Sequence, residues 1–389
     1  MFLALAAMAW AWYHTRASEG LDFYQFRAGG RLARQESIQN LYSPLTRVHA
    51  HDELMRGEAL ISEKLQRAAS ARAELELFST PFLYATFGVF HHSYDDDLRA
   101  YRILSLIAFV AGVLLLARAA RMRWVHALLL LAFLLLLFQP LKSELRVVNV
   151  NSLQLCAVGG AAYLLGGTAR WKWLAGAALL GVVSAFKPNI AVVVPLLLAY
   201  RLIARDRLRF AYELAGAAAG GAFALLVGAM WFRSFGAWLQ WFDAAKALAS
   251  TPLPLESGNV AMFARHSLVA AVALFVVILA AFFFGRRDEE SITIIGAGLL
   301  VYLLAASLVW LHYLVLALPL AIALLADGSN VRRAIGALAL TLIGADIWTT
   351  LLTVETPKGE ALVLWSGLAL LLIAALWRFG TRDRLSGVT

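Results

Sequence analysis

Twelve polar residues stand where long apolar runs meet their connecting segments: Asp22, Glu144, Arg146, Asn149, Asn151, Lys187, Asn189, Asn259, Arg265, His266, His312 and Asp346. Polar groups at such places are costly unless they are paired or used. Together they supply a carboxylate base, cations for an anion and amides for hydroxyl groups. Asp22 lies in Gly20-Leu21-Asp22-Phe23-Tyr24. A carboxylate held at a membrane edge is partly desolvated, which raises its pKa toward working pH and suits a general base. Equally, aspartate is a favoured helix N-cap. Lys187 precedes Pro188 at the end of an apolar run. It can neutralise a phosphate as a point charge or snorkel at a membrane boundary. His312, in Trp310-Leu311-His312-Tyr313, can donate to a phosphate or sugar oxygen, or be part of an aromatic belt.

Arg146 and Arg265 can grip a phosphate bidentately or anchor the chain at an interface. Asn149, Asn151 and Asn259 can bind sugar hydroxyls or cap helices. Asp346, inside an apolar run, can bind substrate or pair with a basic neighbour. The run Asp95-Asp96-Asp97 offers oxygen ligands for a metal, but a solvated loop opening the next helix explains it more simply. The reading therefore calls for no metal and no cofactor.

These residues must be positioned by elements of an unusual composition. Of 389 residues, 61% are hydrophobic and 15% are charged, against about 25% charged in a soluble domain. The mean hydropathy is +0.72. Such a chain cannot cover a globular surface with polar groups, so it is read as an all-α, polytopic transmembrane bundle. The net charge of +9 does not indicate nucleic acid, because the basic residues fall in short tracts between apolar runs. Cys156 is the lone cysteine, which excludes an intrachain disulfide and a cysteine-based zinc site.

Met1 to Tyr13 is apolar and spans about 20 Å as a helix. It lacks the positive start of a signal peptide and is read as a first transmembrane helix whose start lies too far downstream. A polar stretch follows, with a charge-rich part at 49–77, and then a short apolar segment at 78–92 fit for an interface or a re-entrant element. Apolar helices are expected at 98–118, 126–141, 151–169, 172–186, 189–203, 211–232, 266–285, 291–309, 311–326, 334–354 and 361–379. With the first, this makes about twelve. The chain is taken as one domain over 1–389, with an outward loop at 14–97 and a bundle at 98–379. The helices at 172–186 and 189–203 meet at Lys187-Pro188, a tight hairpin set below the membrane surface.

Basic residues at 118–123, 170–172, 201–209, 286–287, 332–333 and 378–384 occupy alternate loops. By the positive-inside rule these loops and both termini are cytoplasmic, and the polar residues above converge on the extracytoplasmic side of a cell membrane.

In that arrangement the chain resembles the family 87 polyprenyl-phosphate-mannose-dependent membrane glycosyltransferases, of GT-C architecture. The resemblance rests on seven segments in order: Asp22-Phe23-Tyr24; Leu41-Tyr42-Ser43-Pro44; Phe78-Ser79-Thr80-Pro81-Phe82, like Tyr-Pro-Pro; Asn149-Val150-Asn151, like Gly-Gln-x-Asn; the glycine-rich run Gly176 to Pro188 closing in Lys-Pro; Gly258-Asn259 followed by Arg265; and Ser307 to Tyr313, like Ser-Pro-x-Ser-Trp-x-His-Tyr. The departures are Val148-Asn149 for Gly-Gln, a single proline at Pro81, Leu308 for proline and a longer charged segment at 49–77. The resemblance implies that Asp22 is the catalytic base, with His312 in the active-site cavity, Lys187 and Arg265 on phosphate, and Tyr24 of the Asp22-Phe23-Tyr24 segment among the substrate-binding residues. It implies a polyprenyl-phosphate-linked sugar donor, a lipid or glycan acceptor and membrane lipids as partners, and transfer of mannose on the extracytoplasmic side. Two other readings are a transporter or flippase of a lipid-linked anion, marked by repeated broken helices, and a non-catalytic partner in an envelope-assembly complex.

Overall fold

The computed structural model describes residues 2–35, 38–48, 62–72, 75–249, 258–285, 290–344 and 357–380, and every regular element among them is helical. A backbone surrounded by apolar side chains must satisfy its own polar groups, and a helix does so locally. Helix α1 (Phe2–Thr15) is followed by α2 (Leu21–Leu32), α3 (Glu63–Ala71) and α4 (Pro81–Phe87). The long α5 (Tyr94–Ala119) leads to α6 (Trp124–Leu137), α7 (Gln139–Val147), α8 (Asn151–Leu165) and α9 (Arg170–Phe186). After a 3₁₀ turn at Pro188–Ile190 come α10 (Val193–Ile203), α11 (Arg207–Trp231) and α12 (Gly236–Ala249). A second 3₁₀ turn, Ala264–His266, precedes α13 (Ser267–Gly285) and α14 (Ser291–Ala305). The 3₁₀ segment Leu311–Ala317 runs into α15 (Leu318–Leu325), and α16 (Asn330–Gly344) and α17 (Pro357–Gly380) complete the series.

Helices α5, α11, α13 and most of α17 are long and apolar enough to cross a membrane; α6 and α7, bent by 61° at Phe138, make a fifth if counted as one span. Helices α8, α10, α14 and α15 are shorter than the spans expected from the sequence, and several apolar helices have a visible stop. Gly166 and Gly167 follow α8, Pro188 follows α9, and Pro319 opens α15 where the 3₁₀ segment ends. The segment at 78–92 contains the buried helix α4, started by Thr80, whose hydroxyl accepts from Leu83 N and donates to Phe186 O at 2.9 Å. The aspartate run forms the first turn of α5. Ser93 caps that turn, and Asp97 is buried against Arg27 at 2.9 Å. Asp346 and residues 49–61 lie outside the described residues.

Helix α14 is buried along nearly its whole length, the expected place for a helix that is apolar all round. Helices α9 and α11 approach so closely that a Cβ at Gly181, Gly216 or Gly220 would collide with a carbonyl of the facing helix. Small residues at such a contact let dispersion forces bind apolar helices together. On the outside, α13 exposes Leu268, Val269, Val272 and Val276, an apolar surface suited to hydrocarbon.

Candidate active site

Asp22 is aimed by the linker that precedes it. Gly20 caps α2 with φ +71°, a left-handed conformation that glycine adopts freely. The linker is held from α5: Tyr94 Oη donates to Glu19 O at 2.6 Å, and the buried Arg102 donates to Arg16 O at 2.9 Å and Ser18 O at 2.8 Å. Asp22 is thus not the N-cap but a first-turn residue, where the helix dipole favours a negative charge. Its side chain crosses to the turn between α7 and α8, and Asn149 Nδ2 donates to Asp22 Oδ2 at 2.6 Å.

That turn contains a strained residue. Val148 ends α7 at φ +59°, a left-handed conformation that a β-branched side chain avoids. The cost is about 1–2 kcal/mol. Val148 is fully buried, and burying such a side chain returns about 1.5–3 kcal/mol. Tyr101 Oη pins the next carbonyl, Asn149 O, at 3.1 Å.

Asn149 is the hub. Its Nδ2 lies 3.3 Å from His312 Nε2, its Oδ1 accepts from Val150 N at 2.7 Å, and Lys187 Nζ donates to the same oxygen at 3.3 Å. His312 Nε2 is 3.6 Å from Asp22 Oδ2. Lys187 follows α9 in extended conformation, its Nζ 4.0 Å from the Tyr313 ring centroid, a cation–π contact. Behind these groups, the fully buried Glu144 accepts from Asn151 Nδ2 at 2.9 Å and Ser152 N at 3.0 Å. Gln154 and Asn189 exchange hydrogen bonds of 2.7 and 3.1 Å.

Asp22, Asn149 and Lys187 line a cavity of about 480 Å³. Its polar end also holds Gln25, Arg72 and Glu76, while Val192, Leu268, Ala271 and Val301 give it an apolar side reaching α13. The Asp22 side chain is 14% exposed, toward this space. Burial pushes its carboxyl above the ordinary carboxylate range, opposed by the Asn149 hydrogen bond and by the charges of Lys187 and Arg72. A base of that kind, beside a cation and next to an apolar channel, can accept a proton while an anion is held nearby.

The residues singled out from the sequence divide into groups. Asp22, Asn149, Lys187 and His312 come together. Asn151 sits one layer behind them, on Glu144. Asn259 is buried and structural: it accepts from Ala261 N and Val309 N and donates to Ser307 O at 3.1 Å, which ties two loops together. Tyr24 is buried in the core, while Arg146 and Arg265 are exposed; none of the three is among the residues that line the cavity. Gln25, Arg72 and Glu76 were not anticipated. Gln25 follows Asp22 by three residues, one helical turn, and that spacing puts it on the same face. Arg72 and Glu76 belong to the charged stretch at 49–77, where no spacing marks them. Among the described residues no group of three or more His, Cys, Asp and Glu side chains is placed to hold a metal ion. No protein-family model, curated protein or solved structure matches this chain.

Proposed function

We propose that the protein is a multi-pass membrane glycosyltransferase that moves a sugar, mannose by resemblance, from a polyprenyl phosphate to a lipid or glycan hydroxyl on the extracytoplasmic side. The observation that carries this reading is the set Asp22, Asn149 and Lys187, backed by the buried His312, at the polar end of a cavity whose other side is apolar. An isoprenoid tail suits the apolar side toward α13, and a sugar phosphate suits the polar end. The left-handed turn at Val148 adds support, since the family carries glycine there, the residue that takes this conformation without strain.

In this scheme the acceptor oxygen attacks the anomeric carbon from the face opposite the phosphate. As the new C–O bond forms, the hydroxyl proton passes to Asp22 and the bond to the phosphate breaks, inverting the anomeric centre. The departing phosphate gains negative charge and needs no proton, so one carboxylate suffices. Lys187 stabilises that charge, with Arg72, paired to Glu76 at 2.9 Å, on the same cavity wall. Asn149 holds base, cation and His312 in register. Arg146 and Arg265, expected on phosphate, have no part in this geometry.

A transport reading draws on one observation. The 3₁₀ turn at Pro188–Ile190 directly follows Lys187 and the 3₁₀ segment at Leu311–Ala317 contains His312, so two breaks adjoin the cluster, and broken helices mark transport sites. The two readings separate in one experiment. Membranes with wild type or Asp22→Asn at matched levels are supplied with radiolabelled polyprenyl-phosphate-mannose, and liposomes are assayed for movement of the same lipid. Transfer by wild type, abolished in the variant while donor binding persists, is expected. Lipid movement without transfer establishes the transport reading instead.

A further inference from the structure

Helices α8, α9 and α14 lead from the Asp22 cavity to a second cavity of about 330 Å³. Val301 of α14 lines the first cavity and Ser291 the second; Lys187, just beyond α9, lines the first and Lys172 the second. A helix of 15 residues such as α14 is about 20 Å long, so the two cavities lie at opposite ends of the bundle.

The second cavity is cationic. Arg118 and Arg121 from the end of α5, Lys172 from α9 and Arg209 from α11 line it, against one carboxylate among the described residues, Glu290, which lies 3.6 Å from Arg378. Arg209 is committed to the fold: its Nε donates to Glu213 at 2.8 Å, and its guanidinium also reaches Ser291 Oγ and Leu165 O. Glu213 is shared with the buried Arg201, at 3.0 Å, so two guanidinium groups rest on one carboxylate. The excess positive charge therefore extends into the wall of the cavity. Arg118, Arg121 and Lys172 have no ion-pair partner among the described residues.

Unpaired cations around a concave space concentrate an anion there, and arginine matches phosphate geometry in particular. The surroundings indicate where that phosphate comes from. Trp171, beside Lys172, is 62% exposed, and Tyr163 on the cavity wall is 42% exposed. Exposed tryptophan and tyrosine at the end of an apolar bundle belong at headgroup level in a bilayer.

We propose that this second cavity binds the phosphate headgroup of an anionic membrane lipid, at the face opposite the Asp22 site. Arg118 and Arg121 contact the phosphate oxygens, Lys172 supplies a point charge beside them, and the lipid tails lie along the apolar bundle. The binding needs no transfer chemistry and stands apart from the proposed enzymatic activity.

The test uses the full chain in nanodiscs of phosphatidylcholine doped with phosphatidylglycerol, with lipid occupancy read by native mass spectrometry. Arg118→Gln/Arg121→Gln is compared with Arg205→Gln/Arg207→Gln, exposed arginines outside the cavity-lining set. Removing one charge-assisted hydrogen bond weakens affinity about tenfold. The first variant should therefore retain phosphatidylglycerol at least about tenfold more weakly, while the control matches wild type. Lys172→Gln, made alone, gives the same direction in a variant that keeps both arginines. Equal retention by wild type and all variants overturns the proposal. Full competition by millimolar inorganic phosphate, with no preference for phosphatidylglycerol over phosphatidylcholine, overturns the lipid source.

Discussion

The two ends of the bundle treat charge in opposite ways. At the Asp22 end the carboxylate, the lysine and the histidine converge on one asparagine, and the residues behind them exchange further hydrogen bonds. At the other end Arg201 and Arg209 are locked on Glu213, while Arg118, Arg121 and Lys172 face open space. Fixed polar networks store orientation, which chemistry requires. Open cations supply attraction without fixing a pose, which suits a mobile headgroup. On the proposed reading, this difference matches a reaction at one end and retention at the other.

The largest effect that sharpens this contrast is at Asp22. Asp22→Asn keeps the size and the hydrogen bonding but removes the base, and sugar transfer should fall by about 10²–10⁴-fold. Unchanged transfer at matched protein levels would remove the chemical role from this end. At the other end the buried pair is structural. Glu213→Leu leaves Arg201 and Arg209 without their carboxylate and should destabilise the fold by about 3–5 kcal/mol, seen as a lower Tm in detergent. A Tm equal to that of wild type would mean that the guanidinium groups reach other partners.

Lys187→Met should lower transfer by about ten- to a hundredfold, because the departing phosphate is then stabilised by one cation fewer. It also moves the pH profile. The deprotonated base is the active form, so the rate rises as pH passes upward through the Asp22 pKa, which burial has already raised. Lys187 opposes that rise, so its removal should carry the acid limb of kcat/KM to higher pH; an unmoved limb would separate the lysine from the carboxylate. Smallest of all, Arg118→Gln/Arg121→Gln should leave stability within about 0.5 kcal/mol of wild type, as for surface substitutions away from packed features. A marked drop in Tm would make these arginines part of the fold rather than of a binding surface.

Much of the helical plan is legible in the residues. The apolar runs place α5, α9, α11 and α13 within a few residues of their observed ends, because hydropathy and stop signals such as Lys187-Pro188 are local properties. The bend at Phe138 was not legible, since 126–141 reads as one apolar run although Pro140 lies within it. Asn259 illustrates a further boundary. An exposed sugar ligand and a buried loop clamp require the same side chain, and only its contacts with Ala261, Ser307 and Val309 distinguish them.

Composition and local pattern are enough to establish that this chain is helical, that several of its helices are long and apolar enough for a membrane, and that a small set of polar residues stands at the ends of its apolar runs. Which of them meet depends on the packing of distant segments. Asp22 and Asn149 are 127 residues apart, and Asn149 and His312 are 163 apart. Periodicity relates residues within a turn or two of helix, whereas these contacts depend on how α2, α7, α8 and the segment at 311–317 pack. The same packing left Arg146 and Arg265 outside and brought in Arg72 and Glu76, because a cavity is shaped by every helix around it and encoded in none of them singly.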